Sequence, residues 1–115
     1  MRFDFDCVFY YVSDLERSIS FYQNVLGFRL TSRDAVARFD LNGALFELVP
    51  SGKHLMQGPS NARLALKVED MVEAIRCLQR YGVAASEPEQ KPGGMLAFFH
   101  DPDGNEICLW QYLLP

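Results

Sequence analysis

His100-Asp101-Pro102-Asp103-Gly104-Asn105-Glu106-Ile107-Cys108-Leu109 reads as a tight turn that delivers a strand. Asp101 suits the first position of a turn, Pro102 presets φ for the next, and Gly104 tolerates a positive φ. From Glu106 to Leu113 the chain then alternates as a strand does. That alternation puts Glu106, Cys108 and Trp110 on one side and Ile107 and Leu109 on the other. A turn of this kind is common. It decides the fold because of what repeats ahead of it.

Cys7 to Val12 is β-branched and aromatic, a first strand. Ser13 and Asp14 offer helix N-caps, and Ser13 with Glu16 fits a capping box. Leu15, Ile19, Tyr22 and Leu26 recur at helical spacing, and Gly27 sits where a helix C-cap belongs. Phe28 to Arg33 and Ala35 to Leu41 read as strands. Asn42-Gly43 is a hairpin signal, and Ala44 to Val49 follows as a fourth strand. Pro50 to Asn61, rich in Pro, Gly and Ser, is a connection containing His54. The pattern then restarts: Arg63 to Val68 is a strand, and Asp70 caps a helix with Glu73 three residues on. Met71, Ile75 and Leu78 form that helix's stripe, and Gly82 ends it. Val83 to Glu87 is expected as a short strand, Pro88 to Gly94 as a loop, and Met95 to Phe99 as the strand before the opening turn.

The halves overlay. A shift of 56 carries Val12-Ser13-Asp14 onto Val68-Glu69-Asp70, Ile19 onto Ile75 and Gln23 onto Gln79; Gly27 lands one residue from Gly82. Matches on caps and on the buried stripe point to two βαβββ repeats. The expected fold is α+β: a cupped mixed sheet with helices on its outer face. One domain covers 1–115, with repeat 1 at about 3–50, a linker at about 50–61 and repeat 2 at about 62–113.

With 115 residues the chain can bury roughly two-thirds of its extended surface. A formal net charge of −4 and the lack of any Lys/Arg cluster argue against nucleic acid and anionic membranes as partners. The N-terminal stretch carries Asp4 and Asp6 and no long apolar run, so no signal peptide is read. No run is long enough to span a membrane. Three Cys, an odd number, are read as free thiols in a reducing cytoplasm.

The repeat resembles the vicinal oxygen chelate superfamily of glyoxalase I, bleomycin-resistance proteins and extradiol dioxygenases. The resemblance rests on Val12-Ser13-Asp14-Leu15-Glu16-Arg17-Ser18, Phe21-Tyr22 and Leu26-Gly27-Phe28, then on Val68-Glu69-Asp70 and Asp101-Pro102-Asp103-Gly104-Asn105. It implies a concave sheet in which metal-dependent members hold a divalent ion through His, Glu or Gln on four strands. Carried over one at a time, those positions are Cys7, Glu47, Arg63 and Cys108. Only Glu47 keeps a family residue. Arg63 cannot ligate a metal, being always protonated, and is expected to pair with Glu47 in the missing ion's electrostatic place. Cys7 and Cys108 then become small pocket walls. A Zn site of Cys7, Glu47 and Cys108 is the alternative. A Cys thiolate activated by Arg63 is a third possibility. His54 and His100 are read as surface or structural, and Cys77 as a core or boundary residue.

Alternation extends the cup to Phe9 and Tyr11 beside Cys7, Lys67 beside Arg63, and Glu106 and Trp110 beside Cys108. Phe9, Tyr11 and Trp110 serve equally as ligand cup or as interface in the homodimer that the resemblance implies. The leading expectation is a metal-independent protein that binds a small, partly hydrophobic molecule, sequestering it as bleomycin-resistance proteins do, with no cofactor. The alternative is a metal-dependent lyase, isomerase or oxygenase with Cys and Glu ligands, or an enzyme using a cysteine. A third is a regulatory protein whose cup is plugged by its own side chains. Bleomycin itself and glyoxalase I activity are both disfavoured.

Overall fold

The computed structural model describes residues 1–50 and 62–113. The connection expected at 51–61, with His54, lies outside the described residues. The chain divides into two compact units, Met1–Gly58 and Pro59–Pro115. Each carries one βαβββ repeat.

In the first, β1 (Cys7–Val12) leads into α1 (Leu15–Ser20), then β2 (Arg29–Arg33), β3 (Ala37–Leu41) and β4 (Ala44–Pro50). The sheet order is β1-β4-β3-β2, with β1 parallel to β4 and the rest antiparallel. The second unit repeats this as β5 (Leu64–Lys67), α2 (Met71–Arg80), β6 (Glu89–Lys91), β7 (Gly94–His100) and β8 (Glu106–Tyr112), in order β5-β8-β7-β6. The expected α+β class and the paired repeats are therefore present, as two four-stranded mixed sheets with a helix each.

Caps set where the helices begin. Asp14 accepts from the Arg17 amide at 3.1 Å, and Asp70 accepts from that of Glu73 at 3.1 Å. Of the two expected caps it is Asp14 that takes the N-cap position, while Ser13 Oγ accepts from Arg17 Nη2 at 3.0 Å. The first helix was expected to run unbroken to Leu26. It is α-helical only to Ser20, then widens into a π-helical turn over Phe21–Val25, with Leu26 N–H donating to Phe21 O at 3.2 Å. Phe21, off the apolar stripe, is buried at the start of this turn beside Tyr22. At the hairpin, Asn42 (φ 55°) and Gly43 (φ 92°) both take the positive φ that a type I′ turn requires.

The helix-facing side of the first sheet is an aromatic core of Tyr22, Phe28, Phe39 and Phe46, with ring centroids 5.0–6.2 Å apart. In the second unit Met71, Leu78, Ala97, Phe99, Ile107 and Leu109 are the buried apolar residues of α2, β7 and β8.

Two strand expectations need correction. β3 begins at Ala37 rather than Ala35, because the Asp34 carboxylate takes the Val36 amide at 3.1 Å and closes the turn there. Val83 to Glu87 is not a strand. Ser86 alone meets β7, donating to Phe98 O and accepting from Phe98 N with Oγ, both at 2.8 Å. The Ser86 hydroxyl stands in for a backbone carbonyl, and Pro88 has no N–H with which to extend a ladder. The edge strand forms later, at Glu89–Lys91 inside the expected loop, joined to β7 through Pro92-Gly93 with Gly93 at φ 92°. No helix among the described residues is long and apolar enough to cross a membrane.

Candidate functional site

On the helix-free face of the first sheet, strand register puts side chains of one face in rows. Phe9 lies beside Glu47 across β1 and β4, and Glu47 beside Arg38 across β4 and β3. Hydrogen bonds knit these rows into a polar stripe spanning all four strands. Cys7 Sγ donates to Glu47 Oε1 at 3.5 Å, and Arg38 Nε donates to Glu47 Oε2 at 2.9 Å. Arg38 Nη1 also donates to Ser32 Oγ at 3.3 Å and to Asp34 Oδ2 at 3.1 Å. Beside the stripe, the exposed Phe9 and the half-buried Tyr11 pack edge to face, 5.4 Å between centroids.

The guanidinium is held between two carboxylates. Asp34 raises the Arg38 pKa first, with Glu47 adding to it. The Val36 amide and then Arg38 hold Asp34 below the ordinary carboxylate range.

In the second unit, Arg63 Nε meets Glu106 Oε2 at 2.5 Å, each side chain about one-third exposed. Cys108, one pleat along β8, is buried. Trp110 follows on the same face, edge to face with Tyr112 at 5.7 Å, and Lys67 of β5 sits beside it in register. His100 is exposed at the end of β7, and Cys77 lies half-buried on α2.

Within its own sheet each of these residues has a partner of its own, Arg38 for Glu47 and Glu106 for Arg63. Position 38 was legible in principle. A two-residue turn at Asn42-Gly43 pairs Leu41 with Ala44 and, three steps back, Arg38 with Glu47.

The thiolate expectation is also corrected. Burial raises the Cys108 pKa first and Glu106 adds to it, outweighing the opposing pull of Arg63. For Cys7, burial comes first again, then the Glu47 carboxylate that accepts its S–H. Both thiols are thus protonated at neutral pH and poor nucleophiles. We expect iodoacetamide to label Cys7 and Cys108 slowly at pH 7, with rates still climbing above pH ~8.5, where those of an ordinary thiol level off. Peptide mass mapping reads this, and rapid labelling of either at pH 7 contradicts it. The folded chain holds these protons more tightly than the unfolded chain. Their contribution to stability is therefore full below pH ~8.5 and is lost as pH rises beyond it.

A divalent ion finds no matching donor set within either sheet. Among the described residues no group of three or more His, Cys, Asp or Glu side chains is placed to hold one. Both Glu47 oxygens already accept, one from a guanidinium that would repel the ion. The thiols would first have to ionise against their raised pKa values.

The family model described as Glyoxalase/Bleomycin resistance protein/Dioxygenase superfamily matches residues 4–109. A lactoylglutathione lyase of Salmonella typhimurium is 34% identical over 114 residues, covering 85% of this chain and 84% of that protein. A glyoxalase/bleomycin resistance protein from Streptomyces sp. CB03234 is 33% identical, with a TM-score of 0.70 and coverage of 92% of this chain and 99% of that one. TnmS3, an antibiotic binding protein from the same Streptomyces, is 29% identical, with a TM-score of 0.74 and coverage of 98% and 100%.

Proposed function

This chain belongs to the glyoxalase/bleomycin resistance protein/dioxygenase superfamily, and on that basis we propose that it binds a small, partly hydrophobic molecule without a metal ion. The observation that carries this reading is the state of Glu47. It alone among the four carried-over positions keeps a family residue, and its carboxylate is already engaged by Arg38 and Cys7. Aromatic side chains stand on the helix-free faces: Phe9 and Tyr11 on one sheet, Trp110 and Tyr112 on the other. Aromatic walls with a few fixed polar groups suit a small organic ligand. TnmS3, an antibiotic binding protein, and the glyoxalase/bleomycin resistance protein of the same Streptomyces support binding of a small organic molecule as the mode of action. The reading includes a reducing cytoplasmic setting, consistent with three free cysteines, and a homodimer.

A metal-dependent lyase is the second reading, favoured by the 34% identity to lactoylglutathione lyase. Purification without chelators, followed by elemental analysis for Zn, Ni, Mn and Fe, separates the two. We expect metal far below one atom per chain and no lactoylglutathione lyase activity when each metal is added back. Near-stoichiometric metal together with metal-dependent activity would overturn the proposal. Cys7, Glu47 and Cys108 would then be the ligands to replace.

A further inference from the structure

We infer that Gly94 is the positioning residue for Trp110: the indole, together with the Gln111 carbonyl, occupies the space where its side chain would stand. The inference rests on the ligand-binding reading in that it gives the aromatic surface of the second sheet a fixed shape. Five other glycines, at positions 27, 43, 82, 93 and 104, take positive φ and have open space where a Cβ would stand. Gly94 is the reverse case. Its φ is not in the left-handed region, so its backbone does not call for glycine, yet it has no room for a side chain. A Cβ there would stand 2.7 Å from Trp110 Cζ2 and 3.0 Å from Cε2, well inside contact distance, and 2.2 Å from the Gln111 carbonyl oxygen.

The consequence for the ring is direct. Trp110 pairs with Leu96 across β7 and β8, but its six-membered ring leans one pleat further and lies over the Gly94 backbone, and Gly94 is buried. Tyr112, the register partner of Gly94, packs against the indole edge to face at an interplanar angle of 89°. The indole thus touches a backbone with nothing projecting from it and a neighbouring ring set at right angles to it. Any larger residue at 94 must lift the indole or part the ends of β7 and β8.

Trp110 is the single tryptophan of the chain, so its emission reports this place alone. In the full-length protein, Gly94→Ala is expected to shift that emission to the red. Acrylamide quenching should rise by roughly two-fold, through faster access to a ring no longer seated. Leu96→Ala, which removes the register neighbour but adds nothing beneath the ring, should change both less. Unaltered emission and quenching in Gly94→Ala would overturn the inference. Should Gly94→Ala not fold, time-resolved anisotropy of the wild-type protein decides: a seated indole tumbles with the protein, and fast local depolarisation would overturn the inference. None of these readouts needs a ligand. A separate titration with 1-anilinonaphthalene-8-sulfonate follows energy transfer from Trp110. A roughly tenfold weaker apparent Kd in Gly94→Ala supports the positioning role in binding, and an equal Kd despite a moved ring removes that role. Absence of probe binding to the wild type counts against the ligand-binding reading and leaves the fluorescence test of Gly94 standing.

Discussion

Phe46→Ala is expected to destabilise the chain by roughly 3–5 kcal/mol, the range for emptying a buried aromatic site. Phe46 is 1% exposed on β4, the strand paired with both β1 and β3. Its ring lies 5.0 Å from Tyr22, 5.6 Å from Tyr10, 5.9 Å from Phe28 and 6.0 Å from Phe39. Four rings from the helix, the following loop and two other strands therefore lose their common neighbour. They belong to different elements, so no single shift closes the gap, and the cost falls at the upper end for such a change. Small domains are stable by about 5–15 kcal/mol, so the first repeat would be close to unfolding at ordinary temperature. Urea unfolding followed by far-UV circular dichroism measures it. A loss under about 1 kcal/mol would mean that this aromatic cluster is not the core of the repeat.

Asp101→Ala comes next, at roughly 2–4 kcal/mol, because it strips the turn of the buried acceptor that organises it. Asp101 is 5% exposed. Its carboxylate accepts from the Asp103 amide at 2.9 Å, the Asn105 amide at 2.8 Å and Asn105 Nδ2 at 2.8 Å. Its backbone closes the same turn, donating to Asn105 O at 2.9 Å and accepting from the Gly104 amide at 3.0 Å. Alanine leaves two backbone N–H groups aimed at an empty place. Asp101→Asn keeps one oxygen and should recover about half of the loss. The turn feeds β8, so Trp110 emission should change in the alanine variant along with the midpoint of unfolding. An alanine variant as stable as wild type would show that the strand pairs of β8 hold the turn without the carboxylate.

Features written in local chemistry were legible in the sequence. Asp14, Asp70, the Asn42-Gly43 hairpin and the Asp101–Asn105 turn each act within a few residues, and each sits where it was expected. The faces followed too: Phe46 and Leu48 point to the core, and Glu47 points away. Features settled by competition between neighbours were not legible. Val83 to Glu87 has the composition of a strand, but Ser86 meets β7 through its amide and its hydroxyl rather than through a backbone ladder. Ser13 has the capping-box sequence, but Asp14 lies one residue closer to the helix and takes the amide. In the site, residue types showed which positions had departed from a metal-binding pattern. They did not show which cation would meet which carboxylate, because that depends on cross-strand register. Gly94 was invisible for another reason: a glycine needed for a neighbour's space has no sequence signature apart from being glycine.

The π-helical turn at Phe21–Val25 bears on how the two repeats differ in length. From the capping Asp14 to Gly27 the chain is one residue longer than from Asp70 to Gly82. A regular α-helix could accommodate that extra residue only by rotating everything after it by about 100°. The wide turn takes it up locally. Beyond it, Phe28 still donates its N–H to Tyr22 O at 2.9 Å, and Gly27, at φ 73°, ends the helix as Gly82 does at 75°. Insertion of a single residue is thus absorbed within one turn, and two copies of a unit can drift apart in length while their sheets keep the same strand order.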